Sequence, residues 1–347
     1  KYVEYNSLSR DLETDRVLYD AVLARLKEVD LTKGITNELF SIHELAQGAG
    51  PLPIPWVKTL IMGFVGGFAL GVGIVLGLSK LDPSIHTVDQ AEALTGLRVI
   101  TAVPQIKTNK PGLLAQEDRH GLVAEAFRTL RASMALLGDS EQHRVFLFTS
   151  AMPSEGKTFS SANFAVTLAQ QGFRTLYIDG DLRKPAVSKL LFGEHRKPGF
   201  TEVLLDRCSL EESAIPSGVE NLDVITAGGR SDNPAELLAT AKVEEIISLA
   251  RNAYDRVVID SAPVIAVSDS LLLAEFADVS CLILRANKTS RKSVRHAIRL
   301  LSELGHPPAG IVLNGLHPGR GGNYNYYAYS GRNYGDYGAS GVYGRSG

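Results

Sequence analysis

The period of the apolar positions changes three times along the chain. Tyr5, Leu8, Leu12, Tyr19, Val22, Leu26 and Val29 recur at alternating steps of three and four, with Asp15 the one polar member of the series. That spacing is a heptad seam and predicts a coiled-coil-like helical arm over residues 1–50. The seam is already running at Tyr5 and the chain begins with Lys1, so the arm is expected to be the end of a longer region. Residues 48–55, Gly-Ala-Gly-Pro-Leu-Pro-Ile-Pro, cannot continue a helix, because each proline removes an amide donor and fixes φ. Residues 59–79 then carry no charge and include six glycines. A helix of that length covers the roughly 30 Å hydrocarbon core of a bilayer. Six glycines would weaken a buried helix in water but are common in spans, so a transmembrane helix is predicted at 57–79, with Trp56 as its interfacial aromatic. Gly63/Gly67, Gly67/Gly71 and Gly73/Gly77 have the spacing that lets two such helices approach closely.

Residues 80–115, with Pro83, Pro104 and Pro111, read as a linker, and a helical pattern follows over 117–137. Beyond it, β-rich apolar runs at 145–148, 175–178, 222–226, 256–259, 279–284 and 311–313 alternate with helix-like segments. This alternation predicts an α/β fold, a doubly wound parallel sheet covered by helices on both faces, over residues 116–316. Residues 317–347 contain nine glycines and seven tyrosines but no leucine or isoleucine, so they have little with which to build a core and are expected to form a flexible tail.

Composition narrows the picture. The 347 residues carry 36 basic and 38 acidic side chains, so overall charge gives no reason to expect a nucleic-acid partner. Cys208 and Cys281 are the only cysteines, which excludes a disulfide framework and a four-thiolate zinc site.

Directly after the run at 145–148 comes Thr-Ser-Ala-Met-Pro-Ser-Glu-Gly-Lys-Thr, residues 149–158, and then a helix-like stretch. Strand, loop, Gly-Lys-Thr and helix in this order make a P-loop, with Ala151 in place of its first glycine. Ser154, Glu155, Gly156, Lys157, Thr158 and Phe159 are the candidate nucleotide-binding residues: backbone amides surround phosphate oxygens, Lys157 reaches the β- and γ-phosphates, and the Thr158 hydroxyl ligates Mg²⁺. Asp179 and Asp181 follow one strand and Asp260 another. Because the carboxyl ends of parallel strands open on the ligand side, the three carboxylates are expected to converge on Lys157 and to hold Mg²⁺ or orient a nucleophile. ATP and Mg²⁺ are the cofactors this constellation implies. Any one aspartate alone would read as a strand-end or helix-cap residue.

A P-loop with Glu-Gly-Lys-Thr, an Asp-x-Asp motif at 179–181, a third motif ending at Asp260, a preceding membrane span and a tyrosine-rich end together resemble the bacterial tyrosine kinases of polysaccharide co-polymerase type. The N-terminal arm resembles the last part of that family's chain-length-determinant region, so the likeness covers nearly the whole chain. Partitioning and site-selection ATPases share the P-loop class but usually carry an early signature lysine where this chain has Met152. An ATP-dependent assembly switch of that kind, without protein kinase activity, is the alternative.

The resemblance assigns further roles. Glu125, Arg128 and Arg131, spaced as an ordinary solvated helix face, match the motif with which the kinase family joins subunits into a ring. Tyr324, Tyr326, Tyr327, Tyr329, Tyr334, Tyr337 and Tyr343 become phosphate acceptors for a neighbouring subunit. Thr158, Asp179 and Asp260 are the expected metal ligands, with Lys157, Asp179, Asp181 and Asp260 the catalytic group. Asp179 would orient or deprotonate the tyrosine hydroxyl, Asp181 support the metal, and Arg183 contact phosphate or a neighbouring subunit. The implied partners are further copies of the chain, membrane lipid, the polysaccharide export and polymerisation machinery, and a phosphotyrosine phosphatase. Lys58 and Lys80 flank the span too evenly to orient it, but ATP is cytoplasmic, which places the P-loop domain inside and the arm outside the inner membrane.

Overall fold

The computed structural model describes residues 2–33, 55–81, 83–106, 112–118, 121–136, 143–193 and 198–317. The chain divides into two units, Lys1–Val75 and Leu76–Gly347. In the first, α1 (Tyr2–Lys33) is one continuous helix, and its seam side chains, Tyr5 to Val29, are exposed. The second helix, α2 (Trp56–Leu81), is 26 residues long, about 39 Å at about 1.5 Å per residue. Its segment Trp56–Gly77 is long and apolar enough to cross a membrane, and none of it is buried by protein.

The second unit is a sheet domain, and it starts earlier than the sequence pattern indicates. The 80–115 stretch, expected to be a linker, contributes α3 (Val88–Thr95), β1 (Val99–Pro104) and α4 (Leu114–Glu117). Thr87 caps α3 by accepting the Gln90 N–H, and Gly96 ends it in the left-handed region. The single helix expected over 117–137 is broken: α5 (Leu122–Ala135) begins after a turn in which the Gly121 N–H donates to the Asp118 carbonyl.

The chain then runs β2 (Val145–Ser150), α6 (Lys157–Ala169), β3 (Thr175–Asp179), α7 (Val187–Phe192), α8 (Phe200–Leu204) and α9 (Leu210–Ser213). It continues through β4 (Ile215–Pro216), β5 (Leu222–Ile225), α10 (Pro234–Leu238), α11 (Lys242–Ala253) and β6 (Arg256–Asp260). Last come α12 (Asp269–Ala274), β7 (Val279–Arg285), α13 (Arg291–Glu303) and β8 (Gly310–Leu316). The eight strands form one sheet in the order β1-β8-β7-β2-β6-β3-β5-β4, parallel except for the two-residue edge strand β4. All six predicted strands are present.

Alternation at period two sends successive side chains of each strand to opposite faces. Leu147, Ile178, Ile259 and Leu282 pack in one layer, and Phe146, Phe148, Tyr177 and Ile283 in the other. The second layer clamps α6, where Phe164 meets Phe146 edge-on at 5.3 Å between ring centroids. Removing that fully buried ring would cost about 3–5 kcal/mol. A rigid α6 matters because its first residue is Lys157.

Candidate nucleotide site

From β2 the chain crosses to β3 on one side, and from β6 it crosses to β7 on the other, so the order reverses at the centre of the sheet. A crevice at such a switch point, outside the carboxyl ends of the strands, is where open α/β sheets bind ligands. The loop between β2 and α6 lies there. Gly156 takes φ +93°, and a Cβ at that position would collide with the Asn314 amide. Ser154 is also left-handed, at φ +65°, a conformation costly for a residue with a side chain. These two turns fold the loop over the α6 N-terminus, where unpaired amides favour an anion.

Three of the four predicted catalytic residues meet directly. The Lys157 ammonium lies 3.0 Å from Asp260 Oδ1 and 3.4 Å from Asp181 Oδ2. The Thr158 hydroxyl donates to Asp260 Oδ2 at 2.6 Å. Burial alone would lower the Lys157 pKa, but Asp260, Asp181 and Asp179 outweigh it and hold the ammonium above its ordinary value. Asp260 is shifted upward by burial, against the pull of Lys157 and Thr158.

Asp179 is placed differently from its predicted role. It stands in register beside Asp260 on the adjacent strand and is fully buried. Its Oδ1 accepts the Asp181 N–H at 3.2 Å and its Oδ2 the Val187 N–H at 3.2 Å. Burial, with repulsion from Asp260, pushes its pKa up to about 8. Like Asp260, it does not line the cavity, whereas Asp181 does; unlike Asp260, it makes no hydrogen bond to Lys157 or Thr158. The reason is Gly180, whose N–H bonds to the Asp260 carbonyl at 2.7 Å and turns the chain between the two aspartates.

The cavity has a volume of ≈ 390 Å³, within the usual range for small-molecule sites. Ser154, Glu155, Gly156, Lys157, Thr158, Phe159 and Arg183 all line it. Three of these side chains are nevertheless engaged elsewhere. The Glu155 carboxylate is buried, accepting the Met152 N–H at 2.8 Å and the Thr289 hydroxyl, and burial pushes its pKa up to about 7. Phe159 packs edge-on against Phe127. Arg183 makes a two-pronged pair with buried Asp269, at 2.8 and 3.0 Å.

Sequence reasoning missed Lys184, which lines the cavity beside Arg183, and three braces. Thr289 and Asp269 hold Glu155 and Arg183, and the Asn314 amide donates to the Glu155 carbonyl at 2.9 Å. Asn314, near the end of a strand, reads as an ordinary turn former in the sequence but braces the loop; Thr289 and Asp269 carry no local signal.

Among the described residues, no three His, Cys, Asp or Glu side chains form a self-sufficient metal cage. Mg²⁺ does not need one, since it is commonly held by one or two carboxylates together with phosphate and water. Thr158, Asp260 and Asp181 are a fitting oxygen donor set beside a cradle shaped for phosphate.

Away from the cavity, Glu125 pairs with Arg128 on the exposed face of α5. Arg131 is turned inward, donating to the Thr167 carbonyl at 2.8 Å. The seven predicted acceptor tyrosines lie outside the described residues.

Comparison with known proteins agrees with this geometry. A family model described as an AAA domain matches residues 154–303. Tyrosine-protein kinase YwqD of Bacillus subtilis is 36% identical over 215 residues, 62% of this chain and 90% of that protein. Putative tyrosine-protein kinase AmsA of Erwinia amylovora is 30% identical over 92% of this chain, but the match covers 46% of its own length. The chain therefore spans about half of that longer relative. The BceF tyrosine kinase domain superposes over 67% of this chain and 99% of its own, with a TM-score of 0.62 and 30% identity. The kinase domain of Escherichia coli tyrosine kinase ETK gives a TM-score of 0.63 at 29% identity, over 67% and 94%. On the strength of its nucleotide cradle, its sheet topology and these likenesses, the chain belongs to the bacterial tyrosine-protein kinases.

Proposed function

We propose that the chain is a membrane-anchored tyrosine autokinase. It transfers the γ-phosphate of ATP to tail tyrosines of a neighbouring copy, and so regulates the polymerisation and export of a capsular or extracellular polysaccharide. The observation that carries this reading is the convergence of Lys157, Thr158, Asp181 and Asp260 on one phosphate-shaped cradle. The polysaccharide setting is supported by a Klebsiella pneumoniae relative named as a putative tyrosine-protein kinase in the cps region, 28% identical over 326 residues.

The residues divide the work. Gly156 and the α6 N-terminus hold phosphate oxygens on backbone amides. Lys157 moves from its carboxylate partners toward the terminal phosphate. Thr158 and Asp260, with Asp181, would hold Mg²⁺, which when bound supplies positive charge shared between phosphate oxygens. Asp181, at the cavity wall, orients the acceptor hydroxyl. Asp179, buried behind it, keeps Asp181 in place by accepting its backbone N–H. In a loose phosphoryl-transfer transition state this positioning counts for more than full deprotonation of the tyrosine. The Glu125–Arg128 pair on α5 is where a neighbouring subunit would contact this one in a ring.

The α2 helix anchors the chain in the inner membrane, with the sheet domain on the cytoplasmic side, where ATP is. A reporter fused after Ser346 is expected to be active only in the cytoplasm; activity only outside would reverse the topology. Incubation with ATP and Mg²⁺ followed by phosphotyrosine detection tests the activity. Wild type should label and Lys157→Met should not. Equal labelling of the two overturns the assignment, and phosphate release without phosphotyrosine identifies an ATP-dependent assembly switch instead.

A further inference from the structure

Helix α13 turns Val294, Ala297 and Leu301 into the core. Its outward face is basic: Arg291, Lys292, Arg295, His296 and Arg299 are exposed, as is Lys288 just before the helix. None of these six is held in an ion pair among the described residues. Arg291, Arg295 and Arg299 follow one another at four-residue steps, so like charges stack along a single row. An ordinary solvated helix mixes signs, because opposite charges at that spacing stabilise it and like charges destabilise it. The one acid of α13 is Glu303, its last residue. The adjacent α3 offers Asp89, which is exposed, and Glu92, whose carboxylate already accepts the Val99 N–H.

The position of this row identifies what it meets. The Arg291 N–H donates to the Pro83 carbonyl at 2.9 Å, and Ser290 bridges to Ser84. The apolar helix α2 ends at Leu81. Three residues of extended chain reach at most about 11 Å, so the basic row begins within that distance of the point where α2 stops.

We propose that the exposed face of α13 rests on anionic phospholipid headgroups, docking the sheet domain against the bilayer beside its own anchor. Clusters of four to eight basic residues next to a membrane helix, or on an amphipathic helix, have the chemistry for this, and the attraction falls off within a Debye length. The headgroups relieve the repulsion along the Arg291–Arg295–Arg299 row. The proposal rests on reading α2 as a membrane span.

The test uses the full chain reconstituted into vesicles of phosphatidylcholine alone, or with about one quarter phosphatidylglycerol, both carrying a headgroup-linked quencher. Cys208→Ser removes the accessible native thiol, and His296→Cys takes a fluorophore on the basic face. Strong quenching is expected only with the anionic lipid. It should disappear near 1 M salt, where screening shortens to about 3 Å. It should also disappear in the R291Q/K292Q/R295Q/R299Q variant, since each charge near the surface is worth about fivefold in partitioning. Unchanged circular dichroism and nucleotide binding show that the variant is folded. Equal quenching in both vesicles, or quenching that survives high salt, overturns the proposal. A fluorescence change that appears only after ATP-dependent phosphorylation, whatever the lipid, overturns it in favour of the phosphorylated tail. Flotation with phosphatidylcholine vesicles separates the underlying reading: a chain that fails to float loses the span and the proposal together. One that floats without lipid-selective quenching keeps the span and loses the proposal.

Discussion

Replacing Asp179 by asparagine should flatten the dependence of stability on pH. In the native chain this carboxyl has its pKa pushed up to about 8 by burial and by Asp260, against about 3.9 in an unfolded chain. The folded state therefore holds a proton that the unfolded state has lost throughout this interval. Stability contributed by the protonated group is complete below pH ~4 and is lost progressively as the pH rises toward 8. One proton corresponds to somewhat more than 1 kcal/mol per pH unit, or roughly 3 kcal/mol between pH 5 and pH 7. Asparagine removes the titration but adds a fixed penalty. Asp179 uses both oxygens to accept backbone N–H groups, from Asp181 and Val187, so an amide must turn its NH₂ toward one of those donors, at a cost of about 1–3 kcal/mol. Urea midpoints of the full chain in detergent, followed by circular dichroism from pH 5 to pH 8, should show Asp179→Asn clearly less stable at the acid end. The gap should narrow by roughly 3 kcal/mol over two pH units. Two parallel stability curves would refute the assignment of a raised pKa to this buried carboxyl.

Gly156→Ala should weaken nucleotide binding at least about tenfold and destabilise the fold by about 1–3 kcal/mol, since φ there is +93° and Asn314 fills the space; calorimetric titration and thermal melting read both. Arg183→Ala strips buried Asp269 of its paired cation; with Arg183 39% exposed the loss should be about 1–2 kcal/mol, less than for a fully buried pair, and urea midpoints measure it. Arg131→Ala should cost about 1 kcal/mol through the Thr167 carbonyl, whereas Arg128→Ala should cost under about 0.5 kcal/mol. Sedimentation of the same two variants separates a fold brace from a subunit contact: Arg128→Ala should dissociate the proposed ring without lowering the melting temperature.

Sequence patterns captured what is local. Six buried strands were legible because each is a short apolar run bounded by turn residues, and the P-loop because its residues are contiguous. The edge strand β1, Val-Ile-Thr-Ala-Val-Pro, was hidden among prolines, although Thr87 and Gly96 on either side of α3 carried ordinary capping signals. The helix expected over 117–137 began too early: Glu117 to Gly121 contain no apolar residue, and α5 starts only at Leu122, after Gly121. At the site, Asp179 and Asp181, both read as following one strand, are expected to converge together on Lys157. The hydrogen bond from Gly180 to the neighbouring strand defeats that expectation. Glu155 reads as one of the nucleotide-binding loop residues, and only a threonine 134 positions away shows that its carboxylate is buried and engaged.

The pairing of β1 with β8 has a mechanical consequence. The chain enters β1 from α2 by way of α3, and it leaves the sheet from the end of β8, the parallel neighbour of β1. Tension applied between the two ends would first load the bonds that tie Pro83 and Ile85 to residues 289–291, and beyond them would pull β1 and β8 lengthwise in opposite directions, loading all their cross-links at once instead of peeling them one by one. Such an attachment resists force well, so a strained assembly should yield elsewhere before this seam slides.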